Sequence, residues 1–314
     1  MNGKIFYPAF VFVVLTGLEA CIEPVDLNLP VQDKTLAVVC HFSPLDTFEL
    51  VLSRGHSVLD SGAAGVSYVP DAQVSIFSEG VLLDVLTYQP ALAGSEVPPH
   101  YKSSYFIPEE GKSYSLRVVV DDEEPVTAQS RVPPAVGVRQ GSFAYDLDIL
   151  EEDEFSLRAN YELSFVIDDP PDTANFYHLI FYQEICNFLI DQNGDTIIQK
   201  VYSKPLRAEA QNAFLPLTPY IEGRGYLFKD DFFAGSFQEF SFSGTFLFSK
   251  SFQTLGHFVV ELRSVPEEYY LYHTSLARYS RSLSDPLAPP VLVTGNVENA
   301  QGVFTGFSSR FYAL

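Results

Sequence analysis

Tryptophan is absent from this chain of 314 residues, and basic residues are scarce. Dedicated glycan-binding modules often stack sugars on Trp, so its absence argues against that class, although Tyr can take its place. Only 19 Lys and Arg stand against 40 Asp and Glu, which gives a net charge of −21. A surface this negative repels phosphate backbones, and nucleic-acid binding is therefore not expected. We interpret the acidity as a source of solubility, with cation capture or a basic partner as the alternative.

Motifs of the common catalytic and cofactor sites are missing as well. The sequence contains no GxSxG nucleophile elbow, HExxH zinc motif, Walker loop or GxGxxG fingerprint. No CxxC or Cys/His spacing suggests zinc. The histidines show no ligand spacing, and we assign none of them a role; they are His41, His56, His100, His178, His257 and His273. We therefore expect a protein that is not an enzyme and has no cofactor or metal, with a catalytic carboxylate pair from distant positions as the alternative.

The N-terminus has the pattern of a bacterial secretion signal. Lys4 supplies the positive charge, and residues 5–18 form an apolar run that is too short for a comfortable transmembrane helix and contains Pro8. Leu18-Glu19-Ala20-Cys21 resembles a lipobox, in which a small residue precedes a cysteine that receives diacylglycerol. We predict a signal peptide at residues 1–20, lipid attachment at Cys21 and a lipidated tether at 21–33. A plain secretory signal with an incidental cysteine is the alternative.

Two further cysteines, Cys40 and Cys186, lie far apart in the sequence. In an oxidising compartment they could form a disulfide. Two buried free thiols are the interpretation that we favour.

Aromatic and β-branched stretches, separated by Gly, Pro and acidic turns, predict an all-β and mainly antiparallel fold. The first strands are expected at 36–42, 48–53, 72–78, 81–88, 101–107, 114–120 and 126–130. Short strands at this spacing are typical of an immunoglobulin-like β-sandwich, which we place at residues 34–134. Val132-Pro133-Pro134 then predicts an interdomain linker, since tandem Pro resists both helix and central strand.

Residues 135–314 are predicted to form a second, aromatic-rich β domain with one short helix. Strands are expected at 161–168, 176–188, 196–202, 240–248, 257–264 and within 291–307. The Phe residues that alternate with Ser in 240–248 are interpreted as core, with a ligand platform as the alternative. Ser264-Val-Pro-Glu267 predicts a capping box, and the following residues recur at helical spacing, which places the helix near 266–281.

Acidic clusters mark several turns. Asp191-Gln-Asn-Gly-Asp195 echoes the start of a calcium loop, but the twelfth position of such a loop is Tyr202 instead of Glu. A hairpin with a type I′ turn at Asn193-Gly194 is the interpretation that we prefer. The acidic residues 121–124 and 151–154 are interpreted as solvated loops, with weak cation binding as the alternative.

Several short motifs, in this order along the chain, are similar to those of one family. They are Cys21-Ile-Glu-Pro-Val-Asp26, residues 36–40, Pro70-Asp-Ala-Gln-Val-Ser-Ile76, Gly111-Lys-Ser-Tyr-Ser-Leu116, Phe228-Lys-Asp-Asp-Phe-Phe-Ala-Gly235, Glu268-Tyr269-Tyr270, Gly295-Asn296-Val297 and Gly302-Val-Phe304. In these motifs the chain resembles the domain-of-unknown-function 4249 family (DUF4249) of Bacteroidota lipoproteins, over nearly all of the mature sequence. The resemblance implies an outer-membrane lipoprotein, often encoded beside a TonB-dependent transporter. The lipobox departs from the usual pattern at Glu19.

Anchor, tether and resemblance together favour a non-enzymatic accessory of a TonB-dependent nutrient transporter, which captures the substrate or gates the transporter. A structural or adhesive β-sandwich protein of the cell surface is the alternative. Acylated Cys21 would hold the chain in the outer membrane, on either its periplasmic or its extracellular face. Candidate contact residues lie in two loops of the second domain, 191–195 and 216–225, and are Asp191, Asn193, Asp195, Tyr220, Glu222 and Arg224.

Overall fold

The computed structural model describes residues 35–55, 66–171, 173–212, 215–285 and 288–314. The predicted signal peptide, the lipid attachment site Cys21 and the tether lie outside these residues. The first eight strands of the described chain are β1 (Leu36–Phe42), β2 (Glu49–Arg54), β3 (Ser67–Tyr68), β4 (Gln73–Ser78), β5 (Val81–Gln89), β6 (His100–Lys102), β7 (Ser113–Val119) and β8 (Val126–Arg131). Alternate residues of β1 are buried, as expected for a strand that has one face on a core.

The rest of the described chain contains twelve more strands and one α-helix. They are β9 (Ala144–Glu151), β10 (Ser156–Asp168), β11 (Phe176–Ile190), β12 (Thr196–Pro205), β13 (Glu209–Ala210), β14 (Thr218–Pro219), β15 (Tyr226–Lys229), β16 (Phe237–Ser249), β17 (Gln253–Val265), α1 (Glu267–Ser282), β18 (Val297–Glu298), β19 (Gln301–Gly306) and β20 (Ser308–Ala313). A 3-10 helix covers Ile221–Gly223. The prediction of an all-β protein with a single helix is confirmed. Within the residues described, no helix combines the length and the apolar character that crossing a membrane requires.

One sheet encloses the N-terminal core. Its order is β18-β8-β7-β4-β5-β6-β2-β1-β19, with β3 paired to β2. The sheet curves so strongly that its two ends meet. This closure is seen at Gly306 in β19, which lies against the backbone of Arg131 in β8. Aromatic side chains fill the centre, and the ring of Phe42 lies 4.7 Å from the rings of both Phe48 and Phe304. Two of these rings come from the start of the chain and the third from its end.

The C-terminal strands therefore complete the N-terminal sheet. β19 pairs in parallel with β1, which places Phe304 beside Cys40, and β18 pairs with β8. Asn296 extends this pairing with its side chain, since its Oδ1 accepts from Phe304 N (3.0 Å) and its Nδ2 donates to Phe304 O (2.8 Å). The domain boundary predicted at residue 134 placed residues 297–306 in the second domain. In the structure, these residues pair with β1 and β8 of the N-terminal sheet.

Gly302→Ala is expected to lower the free energy of unfolding by about 2 kcal/mol, because it disturbs the pairing of β19 with β1. Gly302 has a φ of +110°, and a Cβ there would overlap the carbonyl oxygen of Val38 on β1. Urea unfolding followed by tyrosine fluorescence measures the loss. Gly141→Ala is the control, since Gly141 also has a positive φ (+73°) but has nothing within 4 Å of a Cβ. Equal losses in the two variants would contradict the role of the close approach to β1.

Two sheets form the C-terminal part of the molecule. One has the order β13-β16-β10-β9, and the other has the order β14-β15-β11-β17-β20 with β12 paired to β11. Phe240 and Phe242 of β16 are fully buried between them, and the ring of Phe242 lies 4.9 Å from the ring of Phe181 on the facing sheet. Phe246 and Phe248 are buried as well. The interpretation of the alternating Phe residues as core is confirmed.

The helix α1 starts where the sequence predicts, but its capping differs. Pro266 is the N-cap and has no side-chain capping hydrogen bond, so the predicted capping box is wrong. Ser264 belongs to β17, and its Oγ accepts a hydrogen bond from the backbone N of Val136 (2.9 Å). Glu268 in the first turn accepts from Ser130 Oγ (2.5 Å), which ties the helix to β8. The first turn thus contacts both halves of the molecule.

The segment around Pro133 is packed instead of exposed. Val132 is completely buried, and its backbone N donates to Lys112 O (2.9 Å). A few residues later, Val138 N donates to the hydroxyl of Tyr312 on β20 (2.7 Å). The predicted linker is therefore a fixed connection between the two parts.

The two cysteines of the described chain are free thiols. Cys40 is buried in β1, and burial raises the pKa of its thiol well above the usual value. Cys186 on β11 is half-buried. The predicted free state agrees with this structure, but only one of the two thiols is fully buried.

Candidate functional site

A cavity of about 460 Å³ lies where α1 meets both parts of the molecule. The helix packs on β19 of the N-terminal sheet and on β11 and β15 of the C-terminal part. His41 reaches the cavity from β1, because Cys40 and Phe42 on either side of it face the N-terminal core. His178 enters from β11 and Arg263 from β17. Both halves of the chain are therefore needed to form the cavity.

Three histidines and two tyrosines form two hydrogen-bonded groups in the cavity wall, and the groups contact each other through their rings. Nε2 of His273 lies 2.8 Å from Nε2 of His41, and Nδ1 of His273 lies 3.0 Å from the hydroxyl of Tyr220. Nδ1 of His178 lies 2.8 Å from the hydroxyl of Tyr269. Tyr269 and His273 are four residues apart on α1, so the helix presents both from one face, with ring centroids 4.2 Å apart. The contact between His41 and His273 places one N–H between two ring nitrogens.

Arg263 forms the charged part of the wall and is held from behind by Glu261. The carboxylate of Glu261 is almost fully buried and accepts from Arg263 Nε (2.6 Å) and Nη2 (3.0 Å). It also accepts from Tyr182 OH (2.9 Å) and Ser309 Oγ (2.8 Å). The guanidinium carbon lies 4.5 Å from the ring centroid of Phe307. One edge and one face of the guanidinium are thus occupied, and its orientation is fixed.

The histidines of the cavity are uncharged at neutral pH. Burial lowers the pKa of His41 to about 4, and the charge of Arg263 adds to the effect. Burial and Arg263 also lower the pKa of His178 well below its usual value, against a smaller opposite effect from a hydrogen bond with the Arg224 backbone. The pKa of His273 is lowered by burial and by the two neighbouring histidines. The rings are therefore neutral hydrogen-bonding groups in a positive field.

A resident metal ion does not fit this chemistry. Within the described ranges, no group of three or more His, Cys, Asp or Glu side chains is placed to hold a metal ion. The facing nitrogens of His41 and His273 lie in the field of Arg263, which opposes a cation for the same reason that it lowers the histidine pKa values.

The candidate contact residues fall in two separate places. Tyr220 and Arg224 line the cavity, with Tyr220 half-buried and Arg224 exposed at the rim. Glu222 lies between them on the 3-10 helix, and its side chain is outside the described part of the chain. Asp191, at the end of β11, lies nine residues beyond Tyr182, which is about 30 Å along an extended strand. The two loops therefore do not form one surface.

The hairpin of β11 and β12 carries the other candidates at its tip. Oδ1 of Asp191 accepts from the backbone N of Asn193 (2.8 Å) and of Asp195 (2.8 Å). These backbone hydrogen bonds, that of Asp195 above all, lower the pKa of Asp191. The predicted type I′ turn is wrong, because Gly194 has a positive φ (+87°) but Asn193 does not. The side chain of Asp191 shapes the turn, and Asn193 does not have the left-handed backbone conformation that a type I′ turn requires.

Exposed aliphatic side chains cover the outer half of this hairpin. Their exposed fractions are 55% for Leu189, 65% for Ile190, 49% for Ile197, 49% for Ile198 and 54% for Val201. Leu189 faces Ile197 across the ladder and lies with it on one face of the hairpin, whereas Ile190 and Ile198 lie on the opposite face, because side chains alternate along a strand. Exposed apolar side chains on both faces of one hairpin are typical of a contact site.

The central residues of the cavity were not predicted from the sequence. His41 and His273 are 232 positions apart, and no local spacing joins them to His178. Arg263 and Tyr269 lie in an ordinary strand and an ordinary helix. Only the motif Glu268-Tyr269-Tyr270 gave a signal, as part of the family resemblance.

Fold and cavity define a class of all-β protein in which a helix joins an N-terminal sheet to a C-terminal sandwich over a polar, aromatic-lined cavity. A family profile described as Domain of unknown function (DUF4249) matches residues 22–311. The chain belongs to this family. Comparison with curated proteins gave no match.

Proposed function

We propose that this chain is a non-enzymatic accessory protein of a TonB-dependent nutrient transporter in the outer membrane, and that it acts by contact. Acylated Cys21 holds it in that membrane, on the periplasmic or extracellular face. Tethering raises the concentration of the protein near any barrel in the same membrane, so a modest contact area suffices for function.

The observation that carries this proposal is the set of exposed aliphatic side chains on the two faces of the β11–β12 hairpin. Within the described residues, β12 pairs only with β11, so its outer edge has backbone groups that a partner strand can use. The tip is held in one conformation by Asp191, which lowers the entropic cost of binding. A rigid hairpin with exposed aliphatic side chains and an open edge is suited to docking on another protein.

Co-purification tests the contact. The tagged, lipidated protein is cross-linked in gently solubilised outer membranes, and captured barrel proteins are identified by mass spectrometry. Leu189→Asn with Ile197→Asn, a pair that faces across the hairpin, is expected to reduce capture at least tenfold, since hot-spot apolar contacts each contribute about 1 kcal/mol or more.

Ile149→Asn with Leu150→Asn is the matched control. These aliphatic residues are exposed to a similar extent, 46% and 47%, but lie on β9 of the other sheet. If no barrel protein is captured above a control lipoprotein, the accessory role is wrong and a structural or adhesive role replaces it. If both double variants reduce capture equally, the hairpin is not the contact.

A further inference from the structure

We propose that the cavity between α1 and the two β layers binds a small organic carboxylate with an apolar body. This inference concerns the cavity alone and does not depend on contact with a transporter. A volume of about 460 Å³ lies within the range of small-molecule sites and accommodates a ligand of several carbon atoms.

The charged side chains that line the cavity are opposite in sign to the net charge of the protein. The chain has a net charge of −21, yet the charged side chains among the described residues that line the cavity are two arginines, Arg224 and Arg263. Glu261 lies behind the wall, and both of its oxygens already accept two hydrogen bonds each. Among the side chains that the structure describes, a ligand in the cavity therefore meets guanidinium groups and no carboxylate, an arrangement that favours an anion.

Arg263 has one edge left for such an anion. Its Nε and Nη2 are held by Glu261, whereas Nη1 has, among the described residues, only a long contact of 3.5 Å with the hydroxyl of Tyr269. Tyr269 and Arg263 both line the cavity, so this edge faces it. Because Glu261 holds the guanidinium in place, the loss of side-chain entropy when a carboxylate binds is small.

The histidines complete the polar half of the site. His41, His178 and His273 are neutral, so each ring has one N–H and one acceptor nitrogen. The positive field of Arg263 that disfavours their protonated forms also disfavours an ammonium or metal ligand and attracts an anion.

An apolar wall opposes this polar half. Ile180, Pro205 and Phe307 line the cavity together with the polar groups. Inorganic phosphate has no apolar surface to place against these side chains and would lose part of its hydration there. A hydrocarbon body, by contrast, gains free energy from contact with them. The combination of guanidinium, neutral imidazole and apolar wall fits an amphiphilic carboxylate.

Calorimetric titration of the full chain in detergent at pH 7 tests the ligand class. The probes are benzoate and hexanoate, with benzamide and benzylamine as neutral and cationic analogues and inorganic phosphate as a simple anion. We expect the carboxylates to bind at least about tenfold more tightly than benzamide, a difference of about 1.4 kcal/mol, and benzylamine not to bind. Equal binding of benzamide, tighter binding of benzylamine or phosphate, or no carboxylate binding up to millimolar concentrations would overturn the proposal.

Variants locate the binding in this cavity. Glu261→Gln with Arg263→Gln removes the fixed guanidinium together with its counter-charge, so no buried charge is left unpaired. We expect benzoate affinity to fall at least about tenfold, whereas Glu110→Gln with Arg310→Gln, an exposed ion pair of 3.5 Å, leaves it unchanged. Arg224→Gln at the rim, which leaves the buried pair intact, is expected to weaken binding severalfold. Unchanged affinity in both cavity variants would overturn the assignment.

Discussion

Glu261→Gln is expected to lower the free energy of unfolding by about 3–5 kcal/mol. Glu261 is only 2% exposed and balances the charge of Arg263 through two hydrogen bonds. Burial alone would raise the pKa of this carboxyl, but hydrogen bonds and charge from Arg263 outweigh burial, so the pKa is lowered and the group is ionised at neutral pH. A glutamine amide leaves the guanidinium without its counter-charge and loses an acceptor for Tyr182 or Ser309.

Urea unfolding at pH 7, followed by tyrosine fluorescence because Trp is absent, measures this loss. Glu162→Gln is the matched control, since Glu162 is an exposed strand carboxylate whose replacement is expected to change stability by no more than about 0.5 kcal/mol. The double variant of Glu261 and Arg263 should be more stable than the single Glu261 variant. A loss below about 1 kcal/mol in the single variant would show that the ion pair does not stabilise the fold.

Acidification is expected to destabilise the protein through the cavity histidines. A histidine whose folded pKa lies below its usual value of 6.5 contributes stability that is complete above pH 6.5 and is lost as the pH falls towards the folded value. His41 has a folded pKa of about 4, so its contribution is lost between pH 6.5 and 4. Each such histidine adds up to about 1.4 kcal/mol of loss per pH unit, because the unfolded chain takes up a proton that the folded chain does not.

His41→Gln isolates this effect from the titration of the carboxylates. Urea unfolding of wild type and variant at several values between pH 7 and 4 should show that the variant loses about 3 kcal/mol less over this range. His257→Gln is the control, because His257 is exposed and does not line the cavity. Parallel pH profiles for wild type and His41→Gln would contradict the expected titration.

The sequence predicted those elements whose pattern is local. β1 covers Leu36–Phe42 as expected, and α1 begins within one residue of its predicted start. Alternation of buried and exposed residues in a strand, and a Pro-initiated stretch with helical spacing, depend only on neighbours in the chain. The short motif at Asn193-Gly194 also predicted a turn correctly, although its geometry depends on the Asp191 side chain.

Elements that lack this local signal were missed. β9 is mostly exposed, so no buried alternation marked it, and β20 follows a glycine that suggested only a turn. The strand expected within 291–307 is limited to β18 and β19. Residues 291–296 are held in a non-strand conformation by other contacts: the backbone N of Thr294 donates to Ser275 Oγ (2.9 Å), and the side chain of Asn296 binds the backbone of Phe304.

The candidate site shows the same division. Tyr220 and Arg224 were selected because their loop is rich in turns, and the structure places both at the cavity, but the residues that define its chemistry carried no signal. By itself the sequence determined the strand-rich class, the position of the helix and the family, since these follow from local periodicity and short motifs. The tertiary structure alone decided that the last strands join the first sheet and that His41, His178 and His273 meet beside Arg263, because strand pairing and side-chain convergence depend on which distant segments bury each other's surfaces.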